Sequence, residues 1–422
     1  MVLGSAYSAS AQSHWYILAR PTTQGLNKLA FVDSLNGWVV GDSGVIFKTS
    51  DSGKSWVPQN SGLVDNIVSL SIVDQRYGYA LATKDYQNDT IWYGTRILKT
   101  TNGGDIWTHR DYFAEFYRTI FFLDSLNGFI GGDGGRISKT TDGGLTWVPT
   151  LVDSSLWSSF PIFEISFCSR NLGFALGGHY DLAGVVWRTT NGGDRWTAAS
   201  WSSDPMRGIH YIDSIHIISV GGDFEYGSAL IKTKDGGRSW EYVYLAIWGD
   251  ARAVAFRTPA EGWAPLGFTG TYMTTSDTGR TWTSFYSPDT TALYDVAFPD
   301  STHGFMVGSN GTILKYSLTV VGVDLPPSQL PAAFKLLQNY PNPFNPTTTI
   351  SYELAEGSFV SLRIYDATGE EVTTLYNGSQ SPGVHHQEFD GTTLASGTYF
   401  YELMTSNAKS RTTQVGKMIL LK

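Results

Sequence analysis

Residues Lys139–Trp147 read KTTDGGLTW, and close variants of this nonapeptide occur six times: KTSDSGKSW, KTTNGGDIW, KTTDGGLTW, RTTNGGDRW, KTKDGGRSW and TTSDTGRTW. Each ends on a tryptophan (Trp56, Trp107, Trp147, Trp196, Trp240 and Trp282), with spacings of 51, 40, 49, 44 and 42 residues. A period of 40 to 50 residues means a repeat architecture. Extended around the box, each unit reads as an apolar strand, an Asp-rich turn, a short strand, a second turn, a strand ending in Lys-Thr, the box, and a last strand. The first unit is LAFV, DSLNG, WVVG, DSG, VIFKT, SDSGKS, W; the third is TIFFL, DSLNG, FIGG, DGG, RISKT, TDGGLT, W. Four short strands per unit without a helical period describe a β-propeller blade.

The box needs no substrate. Asp51, Asn102, Asp142, Asn191, Asp235 and Asp277 stand where a side-chain oxygen hydrogen-bonds N–H groups further along a turn. The glycine two residues later supplies a conformation with positive φ, and the tryptophan anchors the outer strand. A basic residue precedes five of the tryptophans by eight positions, and a seventh unit, LYDVAFPDSTHGFMVGSNGTILKYS, supplies three strands up to Lys315 with no box after it. HWYILARP near the N-terminus places Trp15 41 residues before Trp56. The register therefore predicts seven blades, with the N-terminal strand completing the last and hiding both free sheet edges.

The six boxes resemble the Asp boxes of neuraminidase-type repeats, and GWVVGDSGVIFKTSDSGKSW resembles the photosystem II stability/assembly factor-like repeats. The expected fold class is all-β: a seven-bladed propeller over 14–320, a Pro-rich linker over 321–334 (VDLPPSQLPAAF) and a small Ig-like β-sandwich over 335–422. The tail is similar to the type A C-terminal sorting domain of type IX secretion cargo. The resemblance rests on Tyr340-Pro341-Asn342-Pro343-Phe344, Ile364-Tyr365-Asp366 with Gly369, Leu394-Ala395-Ser396-Gly397-Thr398-Tyr399 and the end Lys417–Lys422. It implies a Gram-negative exporter, the type IX translocon and its sortase as partners, and a secreted or outer-membrane surface-attached product. Residues 1–13, with Ala9-Ser10-Ala11, read as a signal-peptide remnant or an unstructured N-terminus.

Composition narrows the function. A net charge of −9 argues against a nucleic-acid partner, and no apolar run is long enough to span a membrane. The single cysteine, Cys168, excludes a disulfide framework and reads as a packing residue. No motif for a cofactor or a metal stands out. Strands within a blade alternate in direction, so the second-to-third and blade-to-blade connections share the more variable rim, where binding is expected. Its aromatics include Trp92, Tyr112, Trp157, Tyr180 and Trp248. The innermost strands begin at Asn27, Val68, Arg118, Phe163, Arg207, Arg252 and Tyr294, which puts Arg118, Arg207 and Arg252 at the channel mouth. These are the expected ligand contacts, for an anionic group of a glycan or protein; the competing expectation is local pairing with Glu115, Glu164, Asp204 or Asp250. The alternative function is an Asp-box glycoside hydrolase, sialidase-like or xyloglucanase-like, for which no pair of carboxylates is singled out.

Overall fold

The computed structural model describes residues 13–84, 94–113, 115–321, 334–339, 341–354, 358–380, 383–406 and 411–422. Residues 1–12 of the expected leader and most of the expected linker lie outside them, while Ser13 already belongs to a strand. Trp15–Leu318 is one compact unit, and the chain from Thr319 onward forms a second.

Seven sheets, antiparallel apart from one added strand in blade 4, make the propeller. Blade 1 comprises Leu26–Phe31, Gly37–Gly41, Ile46–Thr49 and Val57–Gln59, and blades 2 to 6 repeat that order. Blade 7 consists of Leu293–Ala297, Phe305–Gly308 and Ile313–Val321, with Ser13–Ile17 as its outer strand. The closing strand is fixed by burial: Trp15 is 1 % exposed, and the rings of Trp263, Tyr272, Phe298 and Tyr316 meet it edge-on at 5.4 to 6.4 Å. Leu18 N–H donates to Ile313 O at 2.9 Å, and Arg20 reaches Asp289 at 2.9 Å.

Two local departures from the repeat have physical causes. Blade 4 has a fifth strand, because Leu151–Val152 continues from blade 3 to run parallel with Arg195–Ser202. The inner strand of blade 6 is only Ala255–Phe256. There Pro265, whose carbonyl accepts from Arg252 N at 3.2 Å, has no N–H to give back.

The Asp box is a staple with a partner the repeat alone does not announce. In blade 1, Asp51 Oδ1 accepts from Ser55 N (2.9 Å) and Thr49 Oγ1 (2.8 Å), while Thr49 Oγ1 accepts from Gly53 N (2.8 Å). The same threonine recurs as Thr100, Thr140, Thr189, Thr233 and Thr275, each donating to the box Asp or Asn at 2.7 to 2.9 Å. The second glycine serves the preceding sheet as well. Gly193 lies at φ 81°, and a Cβ there would overlap the Phe129 ring of the preceding blade. Trp196 then packs edge-on against that ring at 6.1 Å.

A second element ties the blades together. In four of the five blades that have one, the basic residue eight positions before the tryptophan reaches across to a backbone carbonyl in the next blade's box: Lys48 to Gly103 O (3.0 Å), Lys99 to Gly143 O (2.7 Å), Lys139 to Gly192 O (2.9 Å) and Arg188 to Gly236 O (2.8 Å). Lys232 lies instead 3.6 Å from Glu241 of its own blade. Lys315 closes the circle on Ser52 O at 2.6 Å. Blade 7 has no box, and the corresponding residue of blade 6, Thr274, turns to Gly262 O within its own sheet.

The second unit has two sheets, one of Lys335–Leu336, Thr347–Leu354 and Gly383–Asp390, the other of Glu371–Gln380, Ser358–Tyr365, Gly397–Ser406 and Arg411–Leu420. They share one core that includes Phe344, Ile350, Tyr352, Leu362, Tyr401 and Met418. The Pro-Asn-Pro-Phe motif pairs with the C-terminal strand. Phe344 N donates to Ile419 O (2.9 Å), and Asn342 accepts from Ile419 N (2.9 Å) and donates to Lys417 O (3.2 Å).

Candidate functional site at the channel mouth

In six blades the inner strand is broken at the same place by a shift in register. It falls between Leu26 and Lys28, Ile67 and Ser69, Tyr117 and Thr119, Ile162 and Glu164, Met206 and Gly208, and Leu293 and Asp295. The skipped residues are Asn27, Val68, Arg118, Phe163, Arg207 and Tyr294. A bulge inserts one unpaired residue and re-aims its side chain. Repeated round the ring, it turns one side chain per blade into a common space. With Arg252 of blade 6 these residues line a cavity of about 750 Å³.

The arginines differ in how firmly they are held. Arg118 pairs with Asp133 at 2.6 Å, both about half exposed. Arg207 is more enclosed: it donates to Tyr180 Oη, lies 4.4 Å over the Phe163 ring and 5.5 Å from that of Tyr180, and stands 3.2 Å from Asp250. Arg252 is 41 % exposed, 3.5 Å from the same Asp250 and 5.2 Å over Tyr294. The Asp250 contacts are Coulombic, since neither Arg207 Nε nor Arg252 Nε has a hydrogen-bond partner. Of the acids expected as local partners, Asp250 takes two arginines. Glu115 instead accepts from Tyr117 Oη at 2.6 Å, and Arg118 takes Asp133 of the DGG turn.

Below the arginines the next register position carries a charge in three blades. Lys28 bonds Glu164 at 3.2 Å and stands 3.9 Å from Asp295. Burial pulls the Lys28 ammonium down, but Asp295 and Glu164 together outweigh it and hold it above the ordinary lysine value. Burial pushes both acids up, against the opposing pull of Lys28. Sequence reasoning missed this cluster, although the positions directly after the seven mouth residues contained it.

Tyr180 lines the cavity with the three arginines. Trp248 is exposed on the rim and meets Phe268 edge-on at 6.4 Å, outside the cavity lining. Two expected contacts are half-buried in packing instead. Tyr112 sits edge-on to Tyr117 at 6.4 Å, and Trp157 packs on Phe160 at 5.9 Å beside the core of blade 4. Trp92 lies outside the described residues. The rim is also less uniform than expected: in blades 1, 3 and 7 its second-to-third connections are minimal three-residue turns, Asp42–Gly44, Asp133–Gly135 and Ser309–Gly311. Among the described residues no helix is long and apolar enough to cross a membrane.

Residues 7–116 and 248–317 match the family described as photosynthesis system II assembly factor YCF48, and residues 338–419 match the secretion system C-terminal sorting domain. The photosystem II assembly lipoprotein Ycf48 of Nostoc sp. is 24% identical over 332 residues, covering 74% of this chain and 89% of that protein. A solved structure titled YCF48 bound to D1 peptide superimposes with a TM-score of 0.57 at 20% identity, covering 73% of this chain and 98% of the other. PorZ, titled an essential bacterial surface component of the type IX secretion system of Porphyromonas gingivalis, gives 0.51 at 12% identity, covering 94% of this chain and 59% of its own. This chain is a β-propeller whose repeats match those of the photosystem II assembly factor family over part of their length, followed by a match to the secretion system C-terminal sorting domain that indicates export and surface attachment.

Proposed function

We propose that this protein is a non-catalytic, exported binding propeller that holds a peptide or protein segment bearing a carboxylate at the mouth of its channel. The observation that carries the reading is the ring of bulges, which spends one residue per blade, in six blades, on lining a single cavity. Arg118 and Arg252 are the cations a ligand reaches first. Exposed ion pairs such as Arg118–Asp133 contribute only about 0–1 kcal/mol, so a ligand carboxylate can exchange for the aspartate at little cost. Arg207, stacked and paired, acts as a fixed wall.

Around the mouth the exposed rings of Phe224, Tyr226, Trp248 and Phe268 extend the contact beyond a small anion. They favour a macromolecular partner, protein ahead of glycan. That a structural relative was solved with a peptide makes peptides the first class to test. The type IX translocon and sortase are the proposed partners of the tail.

The test is binding of the full chain to an array of peptides with free or amidated C-termini, printed beside anionic and neutral glycans. Wild type is compared with R118A/R207A/R252A. Free-carboxylate peptides are expected to bind the wild type and to lose at least about tenfold in the variant, as for loss of a charge-assisted contact. Equal binding by both proteins contradicts the mouth site. Turnover of a fluorogenic sialoside or a xyloglucan oligosaccharide contradicts the non-catalytic reading.

A further inference from the structure

Beside Tyr180 three loops of the same rim converge: the second-to-third turn of blade 4, the crossover to blade 5, and the second-to-third turn of blade 5. They bring together Asp181, Asp204 and Asp223, one carboxylate oxygen of each lying within 4.8 Å of the other two. Asp204 and Asp223 are 5 % and 1 % exposed, and Asp181 is exposed. None of the three forms an ion pair with a lysine, arginine or histidine among the described residues. Concentrated negative charge in a desolvated place needs a compensating cation.

A second observation points to a ligand. Asp223 Oδ1 accepts the N–H groups of its own turn, Glu225 (2.8 Å), Tyr226 and Gly227 (3.3 Å). Its Oδ2 is buried and has no hydrogen-bond partner at all. Burying a carboxylate oxygen without a donor is expensive, and this one belongs to the group that meets Asp181 and Asp204. The neighbouring oxygens are only partly used: Asp204 accepts from Asp181 N at 3.3 Å and from Ser203 Oγ at 2.8 Å.

We propose that Asp181, Asp204 and Asp223 bind a divalent cation, and that the cation is calcium. The donors are all hard oxygens, with no imidazole or thiolate among them, which selects against zinc and copper. Calcium takes oxygens at about 2.3–2.6 Å, so any two ligands of one ion stand at most about 5.2 Å apart, a limit that the three carboxylates meet. Magnesium demands a tighter octahedron and retains its waters. An exported protein meets calcium in the millimolar range (about 1 mM), where extracellular modules bind it. The ion would clamp two blade turns and the crossover between them. That fixes Tyr180, the residue adjacent to Asp181, which holds Arg207 and meets Phe224 edge-on at 5.6 Å. The metal site stands independently of what the mouth binds.

The experiment is thermal melting of the chelator-treated full chain against CaCl2 and MgCl2, with terbium luminescence sensitised by the nearby exposed Tyr226 as a direct binding signal. The wild type is expected to melt higher with calcium, and terbium is expected to be displaced by it. D223N and D181N are each expected to weaken binding at least about tenfold, as for loss of one charged ligand. D181N lies on an exposed turn and keeps the test open if D223N fails to fold. An unchanged melting point together with no terbium signal overturns the site, as do variants that titrate like wild type. Magnesium acting as strongly as calcium overturns the choice of metal.

Discussion

The Asp box contains a correlation that only its hydrogen bonds explain. Where the box residue is aspartate, the fourth residue after it is a hydroxyl: Ser55, Thr146, Ser239 and Thr281 donate to Oδ2 of Asp51, Asp142, Asp235 and Asp277 at 2.5 to 2.7 Å. Where it is asparagine, at Asn102 and Asn191, the fourth residue is Ile106 or Arg195, which donates only its backbone N–H, at 3.1 Å. Asparagine has an amide where Oδ2 would be, so it does not accept a hydroxyl there. Removing Oδ2 and the hydroxyl together is therefore expected to cost less than the sum of the single changes: in urea denaturation, D51N/S55A should fall short of additivity, and strict additivity would deny the pairing. The shared threonine is the stronger element. Thr49 is 1 % exposed and serves Gly53 N as well as Asp51, so Thr49→Val is expected to lose about 1–2 kcal/mol by the same measurement.

Titration gives a second test at this scale. Desolvation lowers His210, stacked at 4.8 Å on Phe256, to about 4 from the ordinary 6.5. A depressed value means the unfolded chain takes up the proton first. The neutral ring's contribution is complete above about 6.5 and is lost as pH falls toward about 4, amounting to at most about 3 kcal/mol. Box acids act lower: hydrogen bonds from Ser55 and its N–H hold Asp51 at about 2, so its contribution is present above the ordinary aspartate value of 3.8 and is lost as pH falls from there toward about 2. H210F should flatten the stability profile between pH 6.5 and 4 and leave the lower limb unchanged; a wild-type profile in H210F would contradict the assignment.

At the level of the element, the blades were legible because their information is local. Box, turn and strand recur within one period, and the seven starting positions of the inner strands could be aligned from the Asp-rich turns. What the alignment could not supply is any contact whose second member belongs to another blade. The lysine straps are of that kind: Lys99 is an unremarkable strand residue until the next blade delivers Gly143 O to it. The pairing of Arg118 with Asp133 lies within blade 3 and escaped differently, because a DGG turn reads only as a turn. The bulges escaped for another reason, since one extra residue in a short strand leaves the apolar pattern almost intact. Lys99→Met strands a carbonyl between blades and is expected to cost about 1–2 kcal/mol. Lys232→Met removes a contact of 3.6 Å to an exposed Glu241 and should cost less than about 0.5 kcal/mol. Equal costs, read from urea midpoints, would deny the straps.

The whole molecule depends on joining its two ends of the ring. Trp15 is the largest group the closing strand contributes, enclosed by aromatic rings from blades 6 and 7. Trp15→Ala is expected to destabilise the propeller by about 3–5 kcal/mol, with protease sensitivity appearing first in blade 7 and its neighbours. A loss under about 1 kcal/mol would show that the ring does not need this strand. The tail acts at the same scale but in the cell: deletion of residues 335–422 should abolish surface display while the melting transition of the propeller persists.

The most direct test of the account is to ask in living cells which rim meets another molecule. A photo-crosslinking amino acid placed at Val68, a mouth residue that carries no charge, is compared with one at Lys54, exposed on the Asp-box rim. Adducts from position 68 that disappear in R118A/R207A/R252A, with none from position 54, are the predicted result. Adducts from position 54 alone would move the binding surface to the opposite rim and contradict the channel mouth as the functional site.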